Sequence, residues 1–186
     1  NYQRYSQLSP TPTSWPNISN TGITFCLAKQ DTSGNPLAED GIDRININSR
    51  PTWTNPNSFN TINALEAYFD NTIKPQSIWN PKNYLNIWIA RFENATDGNG
   101  GYLYGYAKFP IGANLSGVDI NIETQFTSGV VIRHDVFGDI GTAANIDNGR
   151  TATHEIGHYL GLRHIFSNNG EGIPCTNTDK CDDTPL

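Results

Sequence analysis

The feature that most constrains this chain is the segment 154–164, which reads HEIGHYLGLRH and holds three of its four histidines. Residues four apart lie one above the other on the same face of an α-helix, so His154 and His158 can point two imidazoles at one ion. Gly161 can adopt a positive φ, which lets the chain turn sharply and bring His164 to the same point. Three neutral imidazoles leave one open position on zinc, the arrangement of catalytic rather than structural sites. The spacing therefore predicts a zinc site.

Glu155 directly follows the first of these histidines. A helix turns it toward the same ion, where a carboxylate suits a general base that takes a proton from a metal-activated water. A purely structural zinc site would leave Glu155 without a role and the fourth position open. Neither serine nor cysteine is placed for nucleophilic attack. The pattern predicts hydrolysis by direct attack of water, without a covalent intermediate.

Composition bounds the class of protein around this site. The chain has 186 residues, enough for one domain with a real core, and no repeat or linker divides it. The net charge of −6, the pI near 5.0 and the lack of a basic run argue against nucleic-acid binding. No apolar run approaches the roughly 20 residues of a membrane span. The low lysine and high Asn, Ser and Thr content predicts a secreted, extracellular protein, whose oligomeric state stays open.

Cysteine and the remaining histidine carry weaker signals. Cys175 and Cys181 lie in a short polar segment and could close a small loop or pair with a cysteine outside the chain. Cys26 lies in the apolar run ITFCLA, which predicts a buried free thiol. His134 lies away from the motif and is interpreted as an ordinary core or surface histidine.

Hydrophobic periodicity predicts a mixture of strands and helices. Dense β-branched and aromatic runs predict strands at 23–29, 41–47, 84–92, 102–110, 117–123 and 129–137. Apolar residues at helical spacing predict helices at 59–73 and 150–160, the second ended by Gly161. The histidine motif therefore lies on a helix late in a chain of the α+β class.

These segments together resemble the metzincin clan of zinc endopeptidases, and within it the pappalysin (cytophagalysin) family. The strongest likeness is GRTATHEIGHYLGLRHIF at 149–166, and ITFCLAKQDTSGNP, GIDRI, YLNIWIA, YGYAKFP, GVVI and DDTP follow the family in order. The resemblance implies a twisted, mostly parallel sheet with an antiparallel edge strand, a backing helix and an active-site helix. It implies His154, His158 and His164 as zinc ligands, Glu155 as base, and a 102–110 strand that pairs with an extended protein or peptide substrate.

The segment CTNTDKCDDTP, 175–185, is similar to a calcium-binding segment of that family. The resemblance implies a structural calcium held by Asp179, Thr184 and the carbonyl of Asp182, since oxygen donors suit this hard cation. A solvated acidic loop is the alternative. The segment TDGNGG, 96–101, is interpreted as a turn rather than a calcium loop.

Two departures from the family pattern bear on how much of the domain is present. The chain has no methionine, whereas metzincins carry a methionine turn beneath the zinc, and it stops at Leu186 directly after DDTP. The family's first strand and helix are also missing ahead of ITFCLA. We therefore expect 1–186 to be a partial catalytic domain, the upper subdomain with the start of the lower one, that binds zinc weakly and cuts poorly alone. A natural minimal form is the alternative.

Two other functions compete with the endopeptidase. A non-catalytic zinc-binding or adhesion domain could keep the fold, but it would have no use for Glu155 beside an open zinc position. A zinc hydrolase acting on other substrates would not need a strand for backbone pairing. The sequence favours the endopeptidase and leaves the P1′ preference open.

Overall fold

The computed structural model describes residues 22–110, 124–138 and 149–164, and these fall into two compact units divided after Arg44. The predicted strand 117–123, Cys175, Cys181 and the calcium candidates Asp179, Asp182 and Thr184 lie outside the described residues. None of the helices in the described ranges is long and apolar enough to cross a membrane.

The described part of the first unit, 22–44, is built from short turns. Gln30 pairs with Pro36 and Glu39 with Ile42 in isolated bridges. The Asp31 carboxylate accepts hydrogen bonds from the Ser33 and Asn35 amides, which closes the first turn. The predictions of strands at 23–29 and 41–47 are therefore wrong.

The same segment corrects the prediction for the first cysteine. Ile23, Phe25 and Leu27 alternate as a strand would require, yet all three side chains are exposed. Cys26 is exposed as well, so the prediction of a buried thiol is wrong. An alternation of apolar residues indicates only a preference for extended backbone. A strand forms only where a neighbouring strand pairs with that backbone through hydrogen bonds.

The described part of the second unit contains a long helix, a three-stranded sheet and the histidine helix. The long helix, α1, has an α-helical part Ile62–Tyr68, a π-helical part Phe69–Ile73 and a last turn Lys74–Ser77. It begins three residues after the predicted start because the Thr61 hydroxyl caps it by accepting from the Ala64 amide. The wide π part ends two residues before Pro75, which has no amide hydrogen and whose ring clashes with the preceding turn of a regular helix.

The strands are β1, Ile87–Ala90, β2, Gly105–Ala107, and β3, Val130–Arg133. The sheet order is β1-β3-β2, with β1 parallel and β2 antiparallel to β3. A 3₁₀ turn, His134–Val136, follows β3, so the predicted strand 129–137 is shorter than expected. The predicted α+β class and antiparallel edge strand are confirmed; the sheet was expected to be mostly parallel, and its described strands form one parallel and one antiparallel pair.

The helix α2, Arg150–Tyr159, packs on the opposite face of the sheet from α1. Successive side chains of a strand point to opposite faces, so Val131 joins the cluster that α1 forms with Tyr106, while Val130 and Ile132 pack against α2. The sheet thus separates a backing helix from the histidine helix. This layering places the edge strand β2 beside α2.

Candidate metal centre

The end of α2 returns the chain toward the helix that it has just left. Gly161 has φ 94°, its amide donates to the His158 carbonyl, and the Leu162 amide donates to the Gly157 carbonyl at 2.9 Å. This is the Schellman arrangement, in which a glycine in the left-handed region satisfies the last carbonyls of a helix. It brings His164 back against His154 and His158, as the spacing predicts.

The three histidines form a compact triangle of nitrogens. The Nε2 atoms of His154, His158 and His164 lie 3.0 Å from one another on all three sides. A tetrahedral ion at about 2.0–2.1 Å from each nitrogen requires nitrogens about 3.3 Å apart, which small ring movements supply. In the part of the chain that the structure describes, these residues are the one group of metal-binding side chains gathered in this way.

The protonation of the ring nitrogens also fits a cation. The Nδ1 of His158 lies 2.7 Å from the Leu162 carbonyl, which can only accept, so Nδ1 carries the hydrogen and Nε2 offers its lone pair. Burial lowers the pKa of His164, and the neighbouring His158 and His154 lower it further. Neutral imidazoles with converging lone pairs are the donors that zinc takes.

Glu155 lies beside this triangle in a different environment. Its side chain is buried, and burial raises the pKa of its carboxyl to about 7, with the Glu66 carboxylate adding to the rise. The Ala107 backbone amide on β2 donates a hydrogen bond to the carboxylate and opposes the shift. A carboxyl with a pKa near neutrality can both take up and release a proton at physiological pH.

A cleft of about 430 Å³ runs between the edge strand and the first turns of α2. Residues 102–105 form one wall, and Arg150, Thr151, His154 and Glu155 form the other. His154 and the buried glutamate therefore face a cavity large enough for part of a peptide.

The remaining sequence candidates lie elsewhere. His134 Nε2 is 3.7 Å from the Glu93 carboxylate and takes no part in the triangle. The Asp97 carboxylate accepts from the Asn99 and Gly101 amides, so the 96–101 segment forms a turn. Both observations agree with the sequence interpretation.

Several contributors to the site were not identified from the sequence. Phe109 packs its ring on His158, with ring centroids 5.8 Å apart, and Gly105 brings β2 into close approach with α2. The alternation of the 102–110 segment indicated that residues 105, 107 and 109 share a face, but nothing in it indicated which helix that face meets.

Comparison with known proteins places this geometry in a family. The sequence profile of the peptidase family described as pregnancy-associated plasma protein-A matches residues 67–186. An extracellular metalloprotease of Arthroderma benhamiae is 52% identical over 46 residues, 25% of this chain and 15% of that protein. An extracellular metalloprotease of Colletotrichum graminicola is 40% identical over 83 residues, 44% of this chain and 26% of that protein.

Two solved structures are similar to this protein over nearly the whole chain. Mature mirolysin of Tannerella forsythia, in complex with a cleaved peptide, matches 98% of this chain and 58% of its own length with 34% identity and a TM-score of 0.66. A promirolysin mutant from the same organism matches 98% of this chain and 51% of its own length with 32% identity and a TM-score of 0.67. This chain thus spans little more than half of either structure. It belongs to the pregnancy-associated plasma protein-A family, the pappalysins.

Proposed function

We propose that this chain carries the catalytic centre of a secreted zinc endopeptidase. The observation that supports the proposal best is the juxtaposition of three converging imidazole nitrogens, 3.0 Å apart, with one buried carboxyl beside a cleft. His154, His158 and His164 would hold the ion. When bound, zinc supplies Lewis acidity, which lowers the pKa of a water molecule and polarises a carbonyl oxygen.

Glu155 would act as general base and then as general acid. Its carboxylate takes a proton from the attacking water and passes it to the nitrogen of the departing amine, so no acyl-enzyme forms. The hydrogen bond from the Ala107 amide favours the charged form of the carboxylate, and the low exposure of the side chain limits competing water.

The edge strand β2 would receive the substrate. The Arg133 amide donates to the Tyr104 carbonyl at 2.8 Å, so Tyr104 and Tyr106 direct their backbone groups at β3. In an antiparallel pair these directions alternate, and Gly105 and Ala107 therefore direct theirs away from β3. Because the Ala107 amide donates to Glu155, the groups that suit pairing with an extended peptide are the backbone groups of Gly105 and the carbonyl of Ala107. The cleaved peptide in the mirolysin complex supports a peptide substrate.

Two further parts of the proposal rest on the relatives and on the resemblance. Secretion is supported by the extracellular metalloproteases that share sequence with the chain. A structural calcium at Asp179, Asp182 and Thr184 is supported by the oxygen-donor chemistry of the 175–185 segment. Calcium binding to the chain, measured by titration with and without Asp179→Asn, would test that assignment.

The experiment that tests the function compares zinc content with cleavage of an unfolded protein such as casein. We expect the chain to bind one zinc and to cut slowly, and we expect Glu155→Gln to keep the zinc but lose cleavage by a factor of about 10³ or more. Glu93→Gln, the same change at a half-buried glutamate that takes no part in the histidine triangle, is the matched control. Stoichiometric zinc without cleavage by the parent chain would instead favour a zinc-binding or adhesion domain.

A further inference from the structure

One carboxylate on the backing helix contacts Tyr106 of the edge strand β2 and Lys108, the residue that directly follows this strand. Asp70, in the π-helical part of α1, lies 2.5 Å through Oδ2 from the Lys108 ammonium. Its Oδ1 accepts a hydrogen bond from the Tyr106 hydroxyl at 3.2 Å. The side chains of Asp70 and Lys108 are only 13% and 25% exposed, so the ion pair is partly shielded from water. These three residues are called the Asp70 clamp.

The other side of the same strand faces the metal centre. Gly105 approaches Thr151 and Glu155, the Ala107 amide donates to the Glu155 carboxylate, and the Phe109 ring packs on His158. Residues i and i+2 of a strand share a face. The odd-numbered residues 105, 107 and 109 thus contact the site, while residues 106 and 108 are fastened to Asp70. Any displacement at the clamp therefore moves the groups that touch Glu155 and His158.

Asp70 also forms an ion pair with a buried lysine on its own helix. Lys74 is fully buried, its ammonium lies 2.7 Å from Asp70 Oδ1, and it donates to the Thr127 carbonyl at 3.2 Å. The ammonium also lies over the Tyr106 ring at 4.5 Å and over the Trp88 ring at 5.6 Å. A carboxylate shared by two ammonium groups and a phenol has few alternative orientations, so it forms a rigid anchor.

We propose that Asp70 is a positioning residue for peptide hydrolysis, holding the edge strand through Lys108 and Tyr106 where that strand binds substrate and orients Glu155. Its consequence for catalysis rests on the proposed function. The effect of Asp70 on the position of the edge strand does not depend on the proposed function, because the contacts of the clamp involve neither the ion nor the substrate. Burial and the nearby Asp70 raise the pKa of Tyr106, which keeps its hydroxyl protonated as the donor to Asp70.

Lys108→Met is the most informative variant, because it keeps the aliphatic stem, removes the charge and leaves the buried Lys74–Asp70 pair intact. We expect amide hydrogen exchange in the 102–110 segment to become about tenfold faster, since a charge-assisted contact of the strand is lost. This readout is taken with and without zinc and does not depend on activity. We expect Lys108→Arg to restore slow exchange, and Lys82→Met, at an exposed lysine, to change nothing.

Steady-state kinetics on peptides that span the edge strand give the second readout. We expect Lys108→Met to raise KM about tenfold while kcat falls less than about threefold, because the strand contributes more to binding than to the proton transfer. Equal KM values and equal exchange in Lys108→Met and the parent would overturn the proposal. If no variant cleaves any peptide, the proposed function fails, and the exchange data alone decide whether the clamp holds the strand.

A double-mutant comparison tests whether Lys108 acts through Asp70. Residues in one network give non-additive effects, so Lys108→Met should add little to the exchange rate of Asp70→Asn. Fully additive effects would contradict the clamp. Asp70→Asn removes the carboxylate that both lysines contact, leaves them only the Glu66 charge, and can prevent folding. In that case the comparison is made with Tyr106→Phe, which removes only the hydroxyl, and effects on the exchange rate that are less than additive are again expected.

Discussion

The substitution Gly105→Ala probes the closest approach between the edge strand and the histidine helix. An added Cβ would lie 2.9 Å from the Val131 carbonyl oxygen, 3.0 Å from Glu155 Cγ and 3.1 Å from Thr151 Cγ2. Gly105 is not among the glycines with positive φ, so the cost comes from the clash and not from backbone strain. The carbonyl belongs to the central strand β3 and cannot move freely, so α2 and Glu155 must shift instead.

Overpacking of this size costs about 1–3 kcal/mol in unfolding free energy. In a chain of this length we expect the Tm to fall by about 2–10 °C. A shift of several tenths of an ångström at Glu155 should lower kcat/KM by a factor of about ten or more. Thermal unfolding and casein cleavage measure the two effects.

Gly157→Ala is the matched control, because a Cβ there meets only Leu162, at 3.7 Å from its Cδ1 and 3.9 Å from its Cβ. It should raise the unfolding free energy by up to about 1 kcal/mol, since alanine favours helix over glycine. A Gly105→Ala variant with the stability and the cleavage rate of the parent would refute the close packing of β2 on α2.

Three further predictions follow from the structure. Zinc at a hundredfold excess over its Kd should stabilise the chain by about 2.7 kcal/mol, and thermal unfolding with chelator should abolish this gain, as should His164→Ala. Gly129→Ala should cost more than about 3 kcal/mol in urea unfolding, because Gly129 has φ 124° and a Cβ would lie 2.4 Å from the Asn86 carbonyl oxygen. Burial lowers the pKa of Lys74 below 10.5, so the unfolded state holds the proton more tightly, and stability from this group grows as pH rises toward 10.5. The unfolding free energy of the parent minus that of Lys74→Met, both measured by urea titration, should therefore increase as pH rises. A difference that decreases with pH would contradict the assigned direction of the pKa shift.

Local patterns were enough to predict the histidine helix and its return. The sequence predicts a helix at 150–160, and the structure has α2 at Arg150–Tyr159. The bend at Gly161 and the convergence of the histidines follow from spacing over eleven residues, because helix geometry and a positive φ fix such short distances. The predictions of α1 and of the strand 84–92 also hold, with ends shifted by a few residues.

Features that depend on distant partners could not be predicted in this way. The strand prediction at 23–29 rested on alternation alone, and the described backbone there forms turns and isolated bridges. Burial raises the pKa of Glu155 first of all, the Ala107 amide opposes the rise and Glu66 adds to it, and both of these residues lie far away along the chain. The Asp70 clamp joins residues 36 apart. Such contacts are set by how the sheet and its helices pack, and no short sequence pattern encodes them.

The most direct test of the central claim is a crystal structure of the zinc-soaked chain, with anomalous diffraction recorded on both sides of the zinc absorption edge. We predict one strong anomalous peak about 2.0–2.1 Å from the Nε2 atoms of His154, His158 and His164. The Glu155 carboxylate should lie beside the peak without ligating it. An ion bound by other side chains, or no peak at the three histidines, would contradict the assignment of this chain as a zinc peptidase.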